Sequence, residues 1–242
     1  MAVRSLTVMY HAVSEAWEDA LAVRPGAFDA QLTAFHRRGY RGATARQILE
    51  RPGARRALHV TFDDAYASVA NALPTLRRLG IPATIFVCTD LARDGGRLEI
   101  SELDRVSDRD ELRTLTWDEL RELAKDDLIE VGSHTRSHAH LPALSDEELR
   151  SELRDSKQAI EDELGRPAPF IGYPFGEHDL RVREATAAAG YEAGFAAPGV
   201  SLRLDRYQLP RTGFWRDEPL DRQRLKASFP MRLLLERRAA RQ

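Results

Sequence analysis

Short apolar runs rich in β-branched and aromatic residues recur along this chain, each followed by a stretch with helical spacing. That alternation restricts the fold more than any other feature of the sequence. LTVMY (6–10), ALHVTF (57–62), ATIFVC (83–88), LIEVGS (128–133), PFIGY (169–173) and EAGFAA (192–197) read as buried strands, with YQLPRTG (207–213) as a weaker seventh. Between them Phe28, Leu32 and Phe35 share one helical face, as do Val69, Leu73, Leu76 and Leu79. The longest helical stretch starts at Ser145, has Glu148 three residues on as a capping box, and stops at Gly165. Apolar strands joined through helices form a parallel sheet that the helices cover.

Such a sheet is either open and doubly wound or closed into a barrel. MYHAVSE, which follows the first strand, lacks the glycine-rich turn that a dinucleotide phosphate needs. That disfavours nucleotide binding and tilts the expectation for this α/β chain towards a barrel. At 242 residues the chain suits one domain. Residues 1–220 are read as the barrel, residues 221–242 as a basic tail or helix, and the polar stretch 89–115 as an excursion over one face.

Hydrophobic residues at 43% and charged residues at 31% exclude the disordered and membrane-embedded classes, and a net charge of -2 gives no basic field for nucleic acid. The lone cysteine, Cys88, sits in apolar surroundings and reads as core. The apolar run before Tyr10 is too short for a secretory segment, so a cytoplasmic protein is the expectation.

Asp63 and Asp64 end the second strand, and His134 and His138 follow the fourth. In a parallel barrel these positions meet at the C-terminal face. An Asp pair alone reads as a turn or a helix cap, and a lone H-x-x-x-H as structural. Together they compose a ligand set of two imidazoles and one carboxylate for a divalent metal, with a position open to water. The other carboxylate is then free to take a proton from that water, which is the chemistry of metal-assisted hydrolysis of an amide or ester. His140 is left to the loop, and His36 and His59 to structural roles.

TFDD (61–64), then HTRSH (134–138), then YPFG (173–176), in this order, resemble the motifs of the polysaccharide deacetylases, carbohydrate esterase family four. YHAV (10–13) and GYEAGFAAPG (190–199) are also similar to segments of these proteins, so the resemblance covers roughly residues 5 to 215. It implies an α/β fold, a distorted (β/α) barrel of about seven parallel strands, with Asp63 as general base and with Asp64, His134 and His138 as ligands of a divalent metal, usually zinc. It also implies that Tyr173, Pro174, Phe175 and Gly176 line the acetate pocket, with a backbone N–H near Phe175 on the oxyanion. The substrate implied is an N-acetylated carbohydrate.

The chain departs from the family pattern at three points. Ala65 stands where a glycine usually follows the Asp pair, and Gly172 stands where an arginine often opens the third motif. Arg211, in LPRTG, is a replacement for that arginine by position. The late leucine-x-histidine that supplies a general acid is missing, since no histidine follows His178. His11 directly follows a strand and is preferred to His178 as the acid or as a substrate-binding group. The competing readings are hydrolysis of another linear or cyclic amide and a non-catalytic carbohydrate-binding barrel. The basic tail, with Met231, Leu233, Leu234 and Leu235, is read as a helix packed on the barrel or a frayed end, with contact to an anionic membrane surface as the alternative.

Overall fold

A computed structural model describes residues 5–93, 95–98, 112–197, 205–228 and 230–231. Its strands are β1 (Leu6–Tyr10), β2 (Ala12–Val13), β3 (Ala22–Val23), β4 (Arg41–Gly42), β5 (Ala57–Phe62), β6 (Ala83–Val87), β7 (Ile129–Ser133), β8 (Phe170–Gly172), β9 (Ala193–Ala196), β10 (Leu209–Pro210) and β11 (Thr212–Gly213). The helices are α1 (Pro25–Arg37), α2 (Ala45–Glu50), α3 (Leu73–Leu79), α4 (Thr89–Ala92), α5 (Trp117–Leu123), α6 (Asp146–Leu164), α7 (Leu180–Ala188) and α8 (Leu220–Ala227).

The main sheet runs β10-β9-β8-β7-β6-β5-β1-β11 with every pairing parallel, and β4 adds to β5. Its two edges, β10 and β11, are separated in the chain only by Arg211. One stretch, 209–213, thus pairs with β9 through Leu209 and Pro210 and with β1 through Thr212 and Gly213. The sheet curls nearly shut as a result, into the barrel of about seven strands that the resemblance implies. β2 and β3 form a separate parallel pair beside the barrel mouth.

Side chains alternate across each strand, and the two faces have different tasks. Leu58, Val60 and Phe62 of β5 pack outwards with Leu6, Val8 and Tyr10 of β1 against Phe28, Leu32 and Leu76 of the covering helices. The opposite parity points into the barrel. Phe86, Phe170 and Phe195 fill it, with ring centroids 5.6 and 6.0 Å apart. A Cβ on either Gly132 or Gly172 would come within 2.8 Å of the Phe86 ring, so these two positions have no room for a side chain. The same inward parity carries His59 and Thr61 of β5 on to Asp63, and Gly132 on to His134.

Local signals fix the helices that brace this core. Ser145 and Glu148 form a reciprocal capping box at the start of α6, and Gly165 ends it in the left-handed conformation. Thr44 with Gln47 and Thr116 with Glu119 do the same for α2 and α5. Cys88 is buried and donates to the His134 carbonyl at 3.5 Å. The 89–115 excursion lies partly outside the described residues; its described ends meet as an antiparallel bridge, Arg97 with Arg113. α8 packs against the barrel through Ala227, and most of the remaining tail, with Leu233, Leu234 and Leu235, lies outside the described residues. No helix among the described residues is long and apolar enough to cross a membrane.

His59 lies deep in the barrel. Its Nδ1–H donates to the Ala43 carbonyl at 2.8 Å, and Nε2 meets Thr84 Oγ1 at 3.0 Å. Burial pushes the imidazole down from 6.5 to about 4, against the opposing effect of the Ala43 bond. The folded chain therefore resists a proton that the unfolded chain accepts. Stability is complete above pH 6.5 and is lost as pH falls towards 4, by about 3 kcal/mol for this residue. Urea unfolding of the wild type and of His59→Gln from pH 7 to pH 4 should show the difference between them shrinking by that amount; a pH-independent difference would contradict the assignment.

Candidate active site

Asp63, Asp64, His134 and His138 converge at the C-terminal mouth of the barrel, on the floor of a cavity of about 650 Å³. β5 and β7 deliver them, and the backbone turns sharply at both exits. Asp64 and Ala65 adopt left-handed φ values of 66° and 51°, and Thr135 and His138 values of 69° and 63°. A glycine would sit at position 65 without strain, which accounts for the residue type that the resemblance leads one to expect there. The remaining cavity wall comprises Met9, His11, Asp19, Ala20, Leu21, Phe175, Gly176, Ala197, Gly213, Trp215 and Lys226.

All four floor residues are buried. His134 Nδ1 donates its proton to the Gly172 carbonyl at 2.7 Å, which fixes the tautomer and leaves Nε2 with a lone pair. Burial, the largest influence, pushes this imidazole down to about 4, so the ring is neutral at pH 7. Nε2 nevertheless faces Asp64 Oδ1 at 3.4 Å, and His138 Nε2 lies 3.3 Å from the same oxygen. A bare lone pair directed at a buried carboxylate is repulsive unless a cation lies between them. Two ligands 2.0–2.1 Å from one tetrahedral centre would stand about 3.3–3.4 Å apart. Donor type, spacing and burial therefore fit a divalent metal, and the candidate ligand atoms of all three residues lie within 4.8 Å of one another. Burial acts to raise the Asp64 carboxyl, but His138 outweighs it and holds the group below the usual carboxylate range.

Asp63 has a different partner. Arg211, buried between β10 and β11, donates from Nη1 to Asp63 Oδ1 at 2.5 Å and to Thr61 Oγ1 at 3.3 Å, while its Nε donates to the Ala196 carbonyl. Its guanidinium carbon lies 5.4 Å from the Phe86 ring centroid. Desolvation raises the Asp63 carboxyl, yet the charge and hydrogen bond of Arg211 lower it further, and the net direction is down.

The other expected residues divide. His11 lines the cavity with its ring stacked on Trp215 at 5.5 Å, whereas His178 lies outside the cavity wall, against Tyr173. Phe175, at a φ of 57°, and Gly176 line the cavity. Tyr173 and Pro174 do not, which corrects the expectation for both. Tyr173 points into the packing under α7, where its hydroxyl donates to the Tyr207 carbonyl at 3.0 Å. In the turn they begin, proline has no N–H, and the amides of Gly176 and Glu177 donate to Tyr173 and Pro174 carbonyls. His140 stacks on Phe175 at 4.0 Å and meets Glu177 at 2.9 Å.

Sequence reasoning missed Asp19, Leu21, Trp215 and Lys226. Trp215 stands two residues after β11, a strand-end position of the same kind that singled out His11. Asp19 and Leu21 come from the loop joining β2 to β3, which Arg216 ties to the last strand through the Ser14 and Ala22 carbonyls. Nothing in the sequence signalled that tie.

The family model described as polysaccharide deacetylase matches residues 50–194. The Bacillus subtilis (strain 168) protein YxkH, whose name places it among the polysaccharide deacetylases, is 26% identical over 203 residues, or 81% of this chain; the chain spans 66% of that relative's length. Three solved structures share the fold. A polysaccharide deacetylase from Bacillus cereus, BC0361, superposes with a TM-score of 0.76 at 23% identity, over 93% of this chain and 69% of its own. The Streptococcus pyogenes deacetylase PplD, in complex with acetate, gives 0.78 at 22% identity, over 94% and 100%. IcaB from Ammonifex degensii gives 0.77 at 19%, over 96% and 98%. With the profile spanning more than half of its length, the chain belongs to the polysaccharide deacetylase family.

Proposed function

We propose that this chain is a metal-dependent hydrolase that removes N-acetyl groups from an amino sugar in a polysaccharide, an oligosaccharide or a glycoconjugate. The observation that carries the reading is the pairing of three buried acceptor residues around one point with a second carboxylate, Asp63, held beside them by Arg211. A divalent cation held by Asp64, His134 and His138, with zinc the expected species, would supply Lewis acidity to the water and to the amide carbonyl.

The chain's own groups supply the rest. Asp63, kept ionised by Arg211, accepts a proton from the attacking water as its oxygen bonds to the acetyl carbon. The Phe175 N–H faces the charge that develops on the carbonyl oxygen. His11, held against Trp215, gives a proton to the sugar nitrogen as the C–N bond breaks, so the products are acetate and the free amine. Trp215 and Phe175 offer apolar ring surface on the cavity wall for a sugar.

Acetate release from N-acetylglucosamine oligomers, compared with release from non-sugar amides, tests the substrate class. Activity should vanish with a chelator and return with added divalent metal; ligand binding that survives chelation without turnover would point to a non-catalytic barrel. Asp63→Asn should lower turnover by roughly 10²–10⁴-fold, and His11→Asn by on the order of a hundredfold, each with bound metal unchanged. Near-normal turnover in either variant removes the role assigned to that residue. Arg211→Met leaves Asp63 buried and uncompensated, at a cost of about 3–5 kcal/mol in unfolding free energy. Adding Asp63→Asn should recover most of that loss, whereas purely additive losses would show that the two side chains do not act as a pair.

A further inference from the structure

We propose that Glu152 is a positioning residue for the metal centre, holding the loop between the two histidine ligands in the shape that lets both reach one cation. The proposal rests on the metal-site reading above. Glu152 lies on α6, away from the cavity, and is buried at 4% exposure. Its Oε2 accepts the backbone N–H groups of Arg136 and Ser137, each at 2.9 Å, and its Oε1 accepts the Ser137 hydroxyl at 2.7 Å. The Arg136 guanidinium, 3.6 Å away, partly offsets the carboxylate charge. Two consecutive amides converging on one oxygen form a small anion-binding concavity, and here the anion comes from another element of the protein.

The loop needs an outside hold. Thr135 and His138 both occupy the left-handed region, which non-glycine residues avoid; the Thr89 and Asp90 amides of α4 donate to the Thr135 and Arg136 carbonyls, and three further bonds involve the turn's own side chains. Ser133 Oγ accepts from the Thr135 amide at 3.0 Å, Thr135 Oγ1 accepts from the His138 amide at 3.1 Å, and Ser133 Oγ donates to Ser156 Oγ at 2.9 Å. At residues 136 and 137, the crest between the ligands, Glu152 holds both amides and the Ser137 hydroxyl. Ser156 and Glu152 are one turn apart on α6, so a single helix face holds both the base and the crest of the loop.

Zn²⁺ affinity of the folded full chain, measured by competition with a chromophoric chelator, tests this. Glu152→Ala should weaken binding by roughly 10–100-fold. Glu152→Gln, whose amide oxygen can accept both backbone N–H groups while its NH₂ donates to Ser137, should stay within about threefold of wild type. A Glu152→Ala chain that binds Zn²⁺ as wild type does and only melts earlier overturns the proposal. Should that variant fail to fold, Glu152→Asp, with its carboxylate withdrawn by one methylene, takes its place: folded protein with wild-type affinity overturns the proposal, and weakened affinity upholds it. A wild-type chain that binds no Zn²⁺ sinks the metal-site reading itself, which separates the two failures.

Discussion

Two carboxylates adjacent in the chain, Asp63 and Asp64, are both buried, and the rest of the site follows from how their charge is balanced. An ionised carboxylate is costly to desolvate, and two as neighbours are tolerated only if each has its own positive partner. Arg211 is that partner for Asp63. His134 cannot be one for Asp64, because its Nδ1 proton is committed to the Gly172 carbonyl and burial keeps the ring neutral. Asp64 is left with His138 as its partner, and a cation bound among the three residues would complete the balance there as Arg211 does at Asp63. On the proposed reading, the carboxylate that the guanidinium reaches is the base and the other is the ligand.

The guanidinium reaches Asp63 from an unusual direction. Gly172 occupies the position where the resemblance leads one to expect an arginine, and the space beyond its Cα is filled by Phe86. Arg211 instead enters from the short stretch that bridges β9 and β1, and lies over the same Phe86 ring. The residue that supplies the charge thus sits at the closure of the barrel. Electrostatics constrains the position of the positive group relative to Asp63 and leaves open the strand from which it comes.

That distinction explains what could be read from the sequence. The strands were legible because short apolar runs rich in β-branched and aromatic residues and the intervening helical faces are local signals; all seven runs fall on or within a residue or two of strands in the structure. The floor of the site was legible because strand ends in a parallel barrel share one face, so Asp63, Asp64, His134 and His138 had to meet. Arg211 could be named by its place near the end of the last strand, but its bond to Asp63 depends on the barrel's interior packing. Tyr173 looked equivalent to Phe175 in YPFG, yet the left-handed turn at Phe175 sends the two side chains to opposite sides. Glu152 was hidden altogether, as one of many acidic residues on an amphipathic helix whose role rests on a contact 15 to 16 residues away.

Strain is unevenly distributed in this fold. Among the described residues seven non-glycine positions have positive φ, and five of them, Asp64, Ala65, Thr135, His138 and Phe175, lie in the turns that shape the cavity. Each left-handed residue costs roughly 1 kcal/mol or more, so together they claim a sizeable fraction of what holds a domain folded. They persist because other bonds over-determine them: Leu115 donates to the Ala65 carbonyl, Ser133 and Thr135 brace the histidine loop, and the 173–177 turn closes on itself. A relaxed backbone at these turns would swing the ligand atoms outwards. Holding them inwards, beneath an open cavity and beside an ion-paired Asp63, leaves acceptors crowded together in a buried site, and a bound cation would turn that unfavourable arrangement into a favourable one.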